Sequence, residues 1–254
     1  MDVTVGGHRI EYQAAGEGSV VVLVSGVFQA AQDWWDAGYV EDLRQDHRVL
    51  TVDPLGFGGS DKAHDPGAYT FDARTDHLLA VLDAEEVERA VMWGYSFGAM
   101  QVEAFATREP DRVEAVVLGG SLAGLGADDR RSIFEPAIDT LRSGDWGVVF
   151  ATVATAFAEE FRPAVRDRND LLAVAASHEG SWEPFSAEGR PVEVPVLNYV
   201  GALEPWFAVA YAVAEERGID FKAVEGADHG GAFRKVDTVL PVVRRFLDSQ
   251  STRQ

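Results

Sequence analysis

The sequence predicts an α/β fold, in which helices cover both faces of a mostly parallel sheet of eight strands. Residues 19–25 read SVVVLVS, and a continuous run of β-branched side chains is typical of a strand buried on both faces. Similar short runs alternate with longer segments at helical spacing, which favours parallel strands connected by helices. The alternation stops between residues 121 and 190 and then resumes, so we predict a helical lid inserted after the sixth strand.

The chain opens with a predicted hairpin, because Gly6-Gly7 separates residues 3–5 from residues 9–13 and favours a tight turn. Residues 53–62, DPLGFGGSDK, are too rich in Gly and Pro for regular structure and are predicted to form a loop.

The other elements follow from short apolar runs and from apolar positions three and four residues apart. The eight predicted strands are residues 3–5, 9–13, 19–25, 48–52, 89–93, 113–118, 195–200 and 221–224. The predicted helices are residues 33–45, 70–84, a segment ending at 108, 207–217 and 237–247. We therefore divide the chain into a core of residues 1–120 and 191–254 and a lid of residues 121–190.

The composition excludes several classes of function. The formal charge is 22 − 42 = −20, so a nucleic acid would be repelled. The chain has no cysteine, which excludes disulfides and thiolate catalysis, and its six histidines lack the spacing of metal ligands. The N-terminus MDVTVGGHRIEY lacks the features of a signal peptide, and no apolar run approaches about 20 residues. We expect a cytoplasmic protein that acts on a small molecule, without cofactor, metal, nucleic acid or membrane; its oligomeric state is left open.

The segment GYSFGAM, residues 94–100, joins a predicted strand to a predicted helix and contains a candidate nucleophile, Ser96. Gly94, Gly98 and the small Ala99 surround the serine, whereas a plain turn needs at most one glycine. Small residues allow backbones to approach closely, as in a sharp turn that exposes a nucleophilic serine. The alternative is that Ser96 only caps the following helix.

His229 is the histidine best placed to act as the base that a serine nucleophile needs. It lies in EGADHGGAF, residues 225–233, after the last predicted strand, where the carboxyl ends of the strands meet. The alternative for any one histidine is an ordinary core or surface role. The less suitable histidines, in strands, helices, a loop and the lid, are His8, His47, His64, His77 and His178.

Glu204 is the candidate acid that would orient this histidine. It lies in GALEPW, residues 201–206, three residues beyond the glycine that ends the seventh predicted strand. A carboxylate there could accept the Nδ1–H of His229 and stabilise the imidazolium. The alternative is a charge in the first turn of the next helix, favoured by its dipole. Asp228 and Asp128 are the next candidates for the acid.

The order Ser96, Glu204, His229 is that of nucleophile, acid and histidine, and the chain resembles the α/β-hydrolase superfamily in its lid-bearing, single-domain form. The resemblance covers nearly the whole chain outside the lid. Besides GYSFG, the segment DPLGFGGSD is similar to the family's D-x-x-G-x-G-x-S segment, and SGVFQAAQDWW occupies the place of its oxyanion segment. The resemblance implies the α/β-hydrolase fold with these three residues as a catalytic triad.

The resemblance also implies an oxyanion hole made by the backbone amides of Val27 and Phe97. Two positions depart from the family pattern. Ser25 stands where the family usually has a histidine that braces the oxyanion loop, so no residue is assigned to that bracing. Glu204 stands where the family more often has aspartate, and its longer side chain can act from a slightly retracted backbone.

Aromatic residues surround the predicted strand ends, and we predict that Phe28, Trp35, Trp182 and Trp206 bind the substrate. No Lys or Arg stands beside the nucleophile, the oxyanion segment or the acid, which favours an uncharged, apolar acyl group. The sequence therefore predicts a serine hydrolase of small to medium esters, lactones or thioesters. The alternatives are C–C bond hydrolysis, lyase or acyl-transfer chemistry at the same site, or a binding protein that retains the triad.

Overall fold

One sheet organises the fold, and it is mostly parallel and has eight strands, as the sequence predicts. A computed structural model describes residues 1–251. Its strands are β1 (Asp2–Val5), β2 (His8–Ala15), β3 (Ser19–Val24), β4 (His47–Val52), β5 (Ala90–Tyr95), β6 (Val113–Gly119), β7 (Val196–Gly201) and β8 (Asp220–Val224). They lie in the order β1-β2-β4-β3-β5-β6-β7-β8. β2 pairs antiparallel with β1 and with β4, and the pairs from β4 to β8 are parallel.

Helices follow most of the strands and cover both faces of the sheet. In the described part of the chain the α-helices are α1 (Ala31–Asp36), α2 (Tyr39–Leu43), α3 (Phe71–Ala84), α4 (Phe97–Arg108), α5 (Ala127–Phe134), α6 (Ile138–Arg142), α7 (Trp146–Thr152), α8 (Arg162–Arg168), α9 (Leu171–Ser181), α10 (Phe207–Arg217), α11 (His229–Arg234) and α12 (Val236–Ser251).

Two helical boundaries differ from the prediction. The single helix predicted at residues 33–45 is wrong, because α1 and α2 are separated at Gly38, whose φ of 93° lies in the left-handed region and ends a regular helix. His229 lies in a short helix that the sequence did not predict, α11, which Asp228 caps by accepting a hydrogen bond from the Gly231 N–H at 2.7 Å.

Residues 121–190 are helical and contribute none of the described strands. Helices α5 to α9 lie between β6 and β7, as the interruption of the strand–helix alternation predicts. The division of the chain into a core and a lid stays a prediction, and its last three residues, 252–254, lie outside the described residues.

Alternate side chains of β3 enter two different layers of core. Val22 and Val24 pack in a cluster that includes residues of α3 and α4, whereas Val21 and Leu23 pack with Trp34 and with residues of α12. Full burial of such a side chain is worth about 1.5–3 kcal/mol. Burial on both faces explains the unbroken β-branched run, and it fixes the carboxyl end of β3 beside that of β5.

Among the described helices, none is both long enough and apolar enough to cross a membrane. Within residues 1–251, no three His, Cys, Asp or Glu side chains are grouped as a metal site would require.

Candidate active site

Ser96 occupies a strained turn between β5 and α4. Its φ of 54° and ψ of −120° are rare for any residue but glycine, and strained backbone of this kind concentrates at functional sites. The Ser96 N–H donates to the Gly119 carbonyl at 2.7 Å, which fixes the turn against β6. The serine side chain makes no capping hydrogen bond to α4. The alternative interpretation, that Ser96 serves only to cap this helix, therefore does not account for its hydroxyl group.

The glycines on either side of Ser96 are required by close backbone contacts. A Cβ at Gly94 would lie 2.2 Å from the Gly98 carbonyl oxygen, and a Cβ at Gly98 would lie 2.2 Å from the Val24 carbonyl oxygen. Neither backbone can yield without separating α4 from the sheet. The G-x-S-x-G pattern therefore reflects the packing of α4 directly against β5 and β3.

His229, which follows β8, lies next to Ser96 at the carboxyl ends of the parallel strands. Its Nε2 lies 2.9 Å from the Ser96 Oγ. Three contacts position the histidine: the cap of α11 by Asp228, a hydrogen bond from the Tyr95 hydroxyl to the His229 carbonyl, and the Trp206 ring with its centroid 5.4 Å away. The Asp228 carboxylate accepts a hydrogen bond from the Gly231 N–H and not from the imidazole of His229.

Glu204 lies on the other side of the imidazole. Both of its carboxylate oxygens are 3.1 Å from His229 Nδ1, and its side chain is 0% exposed. Glu204 precedes α10 rather than lying in its first turn. The alternative, that the glutamate is a charge favoured by the dipole of that helix, therefore does not fit its position. A carboxylate facing Nδ1 places the proton on that nitrogen and leaves Nε2 free to accept one from Ser96.

Val27 and Phe97, whose backbone amides are the predicted oxyanion hole, both belong to segments next to Ser96. Phe97 is the first residue of α4, so its N–H has no acceptor within the helix. The loop after β3 passes directly against the serine, because a Cβ at Gly26 would lie 3.1 Å from the Ser96 Cβ. Val27 and Phe97 both line the cavity that contains Ser96.

Gln29, rather than residue 25, holds this loop in place. The Gln29 side-chain oxygen accepts a hydrogen bond from the Gly26 N–H at 3.0 Å. Asn169 of the helical segment adds a bond from its side-chain nitrogen to the Phe28 carbonyl at 3.2 Å. The Ser25 hydroxyl is buried and finds no partner among the described residues. Sequence reasoning missed Gln29, although a polar side chain three residues after Gly26 was the available signal.

Ser96 and His229 open into a cavity of about 680 Å³. Much of its wall comes from residues 121–190, and most of the wall is apolar. Of the four predicted substrate-binding residues, Phe28 and Trp206 line it.

Trp35 and Trp182, the other two residues predicted to bind the substrate, do not line this cavity. Trp35 packs against the core cluster on one face of the sheet, beside Trp34, since both lie on the short helix α1. Trp182 follows α9 and lies under the Arg131 guanidinium, which is 5.5 Å from its ring centroid. An aromatic residue near the site in sequence can thus serve packing alone.

The fold and this arrangement are those of an α/β enzyme with its site at the carboxyl ends of parallel strands. A family model described as the alpha/beta hydrolase fold matches residues 19–173. The match spans more than half of the chain, and the chain belongs to the α/β-hydrolase superfamily of enzymes.

Several known proteins similar to this chain carry hydrolase names. The 2-hydroxymuconate semialdehyde hydrolase of Pseudomonas sp. (strain CF600) is 35% identical over 121 residues, covering 47% of this chain and 42% of that protein. The 2-hydroxy-6-oxo-2,4-heptadienoate hydrolase of Pseudomonas putida (strain F1) is 34% identical over 122 residues, covering 47% and 44%. The matches therefore span less than half the length of these relatives.

Among solved structures, the enol-lactonase from Burkholderia xenovorans LB400 superposes on 98% of this chain and 100% of its own, with a TM-score of 0.83. Its sequence identity is 24%, so this likeness concerns the fold.

Proposed function

We propose that the protein hydrolyses a carboxylic ester, lactone or thioester through an acyl-enzyme formed on Ser96. The observation that carries this proposal is the position of His229, which bridges Ser96 at 2.9 Å and Glu204 at 3.1 Å. A serine hydroxyl becomes a useful nucleophile only when a base lies within hydrogen-bond reach and a third group orients that base. This chain supplies all three groups at one sheet edge.

In the proposed first half-reaction, Ser96 Oγ attacks the carbonyl carbon while His229 Nε2 takes the hydroxyl proton. Glu204 stabilises the resulting imidazolium through Nδ1–H. The negative charge that forms on the carbonyl oxygen is bound by the N–H groups of Val27 and Phe97. When the intermediate collapses, His229 returns the proton to the departing alcohol or thiol, and the acyl group stays on Ser96.

In the second half-reaction, water attacks the acyl carbon and gives a proton to His229 Nε2. Collapse of this intermediate returns the proton to Ser96 Oγ and releases the carboxylic acid. Each cycle therefore consumes one water and leaves the enzyme unchanged.

The helical segment of residues 121–190 is proposed to act as the lid of this site. Its support is that the segment contributes Leu125, Phe134 and Phe157 to the wall of the cavity that contains Ser96. An apolar cover excludes bulk water and strengthens the electrostatic interactions at the reacting atoms.

Hydrolysis of a C–C bond is the second candidate function. What favours it is one relative, the 2-hydroxymuconate semialdehyde hydrolase, whose name gives a semialdehyde rather than an ester as the substrate. The same serine, histidine and amide groups would serve at a ketone carbonyl.

Hydrolysis of 4-nitrophenyl esters of graded acyl length tests the main proposal. We expect turnover with an optimum at short to medium chains, because the cavity has a volume of about 680 Å³ and the helical segment forms much of its wall. Protein that cleaves no ester and forms no adduct with a fluorophosphonate would instead be a binding protein. Turnover of β-diketones in preference to esters would favour the second candidate.

Glu204→Gln is expected to lower kcat by about 10⁴, with KM little changed. The amide keeps the shape of the side chain but donates toward Nδ1, which favours the wrong tautomer of His229. Steady-state kinetics on the best 4-nitrophenyl ester measure the effect.

Asp228→Asn is the matched control for this variant, because Asp228 is adjacent to the histidine but caps α11. Asparagine is an equally good cap, so we expect kcat within a few-fold of wild type. A large loss in Asp228→Asn with little loss in Glu204→Gln would transfer the role of the acid to Asp228.

Gln29→Ala is expected to lower kcat by about tenfold. Removing a donor of an oxyanion hole costs about 10²–10³ in kcat, and Gln29 acts one step away, through the Gly26 N–H. Ser25→Ala is the control, and it should change kcat less than about twofold, since the hydroxyl has no partner among the described residues. A larger loss in Ser25→Ala than in Gln29→Ala would assign the bracing of the loop to Ser25.

A further inference from the structure

A second cavity, of about 580 Å³, lies beside the cavity that contains Ser96, and the proposed mechanism does not use it. Its floor is the sheet face that α4 covers, where β6 and β7 contribute the apolar side chains of Val116, Leu118 and Val196. One side of the cavity is formed by α4. Most of the remaining wall comes from the two ends of the segment 121–190 and from the two residues that follow it.

Four charged side chains in the wall of the second cavity form two pairs. The Glu103 carboxylate lies 4.0 Å from the Arg217 guanidinium, and the Arg130 guanidinium donates to the Glu188 carboxylate at 3.2 Å. A fifth charged residue of the wall, Arg190, is exposed to solvent. Charges that are already paired call for no ionic ligand, and the apolar floor suits a hydrocarbon chain.

Met100 and Leu125 separate the two cavities, because both residues line both of them. Met100 is on α4, four residues after Ser96, and Leu125 lies just before α5. Each of the two residues is half-buried, so part of its surface stays accessible. No other residue within 1–251 lines both cavities. The boundary between the cavities therefore depends on two apolar residues from two different elements.

The proposed mechanism also indicates which part of the substrate points toward Met100. His229 returns a proton to the leaving group, so the leaving group lies on the His229 side of the scissile bond. The His229 ring packs against Trp206, whereas Phe97, which supplies an amide of the proposed oxyanion hole, packs in one cluster with Met100. The acyl chain, which lies away from the leaving group, therefore extends toward Met100.

We propose that Met100 and Leu125 form a partition that sets the longest acyl chain the enzyme accepts, with the second cavity directly beyond it. The inference rests on the proposed hydrolysis at Ser96 and assigns two specificity-determining residues to it. An acyl chain that reaches the partition in wild type has to displace an apolar side chain or leave its own end in water. Both cost binding free energy, so kcat/KM falls for chains longer than the first cavity.

Met100→Ala reduces one side chain of the partition to a methyl group and joins the two cavities. We expect the ratio of kcat/KM for 4-nitrophenyl decanoate to that for 4-nitrophenyl butanoate to rise by about tenfold or more over wild type, since each methylene moved from water to an apolar cavity is worth about fourfold. The butanoate is too short to cross the partition, so its kcat/KM should change less than about threefold. Circular dichroism checks the fold.

Leu125→Ala opens the partition from its other side and should raise the same ratio. It leaves α4 unchanged, so it tests the inference even if Met100→Ala does not fold. Met100→Leu is the matched control, because leucine is apolar and of similar size, and it should keep the chain-length profile of wild type.

Val192→Phe narrows the second cavity alone, because Val192 lines that cavity and not the one that contains Ser96. As a single variant it should change kcat/KM for either ester by less than about twofold. Combined with Met100→Ala, it should remove the gain with the decanoate. This combination shows whether the longer chain enters the second cavity.

Butyl acetate and decyl acetate test the direction of the acyl chain, because here the long chain belongs to the leaving group. Met100→Ala should leave the ratio of kcat/KM for these two esters unchanged within about twofold. A shift in this ratio in place of the shift with the acyl series would assign the Met100 side to the leaving group and overturn the inference.

The outcomes separate this inference from the proposed function. If wild type cleaves the butanoate but neither Met100→Ala nor Leu125→Ala raises the ratio, the partition does not limit the chain. If the gain in Met100→Ala survives the addition of Val192→Phe, the second cavity does not receive the chain. If wild type cleaves none of these esters and forms no fluorophosphonate adduct, the proposed hydrolysis itself fails.

Discussion

Ser96→Ala is expected to remove nearly all turnover while leaving the fold intact. In a comparable serine protease, loss of the nucleophile lowers kcat by about 2 × 10⁶, and a residual rate of about 10³–10⁴ over water remains from binding and the oxyanion hole. Alanine keeps the Cβ, so the strained backbone at φ 54° is no more strained than before. Steady-state kinetics on the best 4-nitrophenyl ester, with circular dichroism as the check on folding, measure the effect.

Ser121→Ala is the matched control, because Ser121 also lines the cavity and its hydroxyl donates to the Leu122 carbonyl at 3.3 Å and to no other group of residues 1–251. It should retain activity. Intact-mass spectrometry after fluorophosphonate treatment should show one adduct on wild type and on Ser121→Ala, and none on Ser96→Ala. An adduct that persists on Ser96→Ala would place the nucleophile at another residue.

His229→Ala is expected to cost about as much as Ser96→Ala, and the double variant to cost no more than either. The serine is activated only through the 2.9 Å contact with His229 Nε2, so removing either partner removes the same step. The measurement is a double-mutant cycle on kcat for one ester substrate.

One outcome of the double-mutant cycle would contradict the proposed role of His229. If the loss in the double variant equals the product of the two single losses, the two residues act independently and the proposed base is wrong. His64→Ala serves as the control, because His64 lies at the surface beside Asp170 at 3.1 Å, and its removal should leave kcat unchanged within about twofold.

The strands and the turn around Ser96 could be predicted because their causes are local. A strand buried on both faces has only apolar neighbours, so residues 19–24 show an unbroken run. Positions 94 and 98 must be glycine because no Cβ fits at either place, so the sequence pattern alone indicates the close packing. The break between α1 and α2 was missed because it depends on the left-handed backbone at Gly38, and a glycine inside a helical pattern does not by itself end a helix.

The proximity of Ser96, Glu204 and His229 was inferred from their places at strand ends and from family resemblance. Their catalytic roles remain predictions, whereas their mutual distances of 2.9 and 3.1 Å are properties of the fold. Gln29 was not assigned, because its hydrogen bond to the Gly26 N–H depends on the conformation of the loop.

The sequence by itself determined the class of fold, the strained turn and the order of the three candidate residues, because each depends on residue type and on neighbours along the chain. Only the tertiary structure decided which side chains face the cavity. Trp35 and Trp182 are close to the site in sequence terms, yet packing turns them away from it. Arg74 and Ser177 are 103 residues apart, and their contact places a positive charge beside His178. The direction of a side chain and the desolvation of a charge are set by all the elements that pack around them, and no local pattern records those.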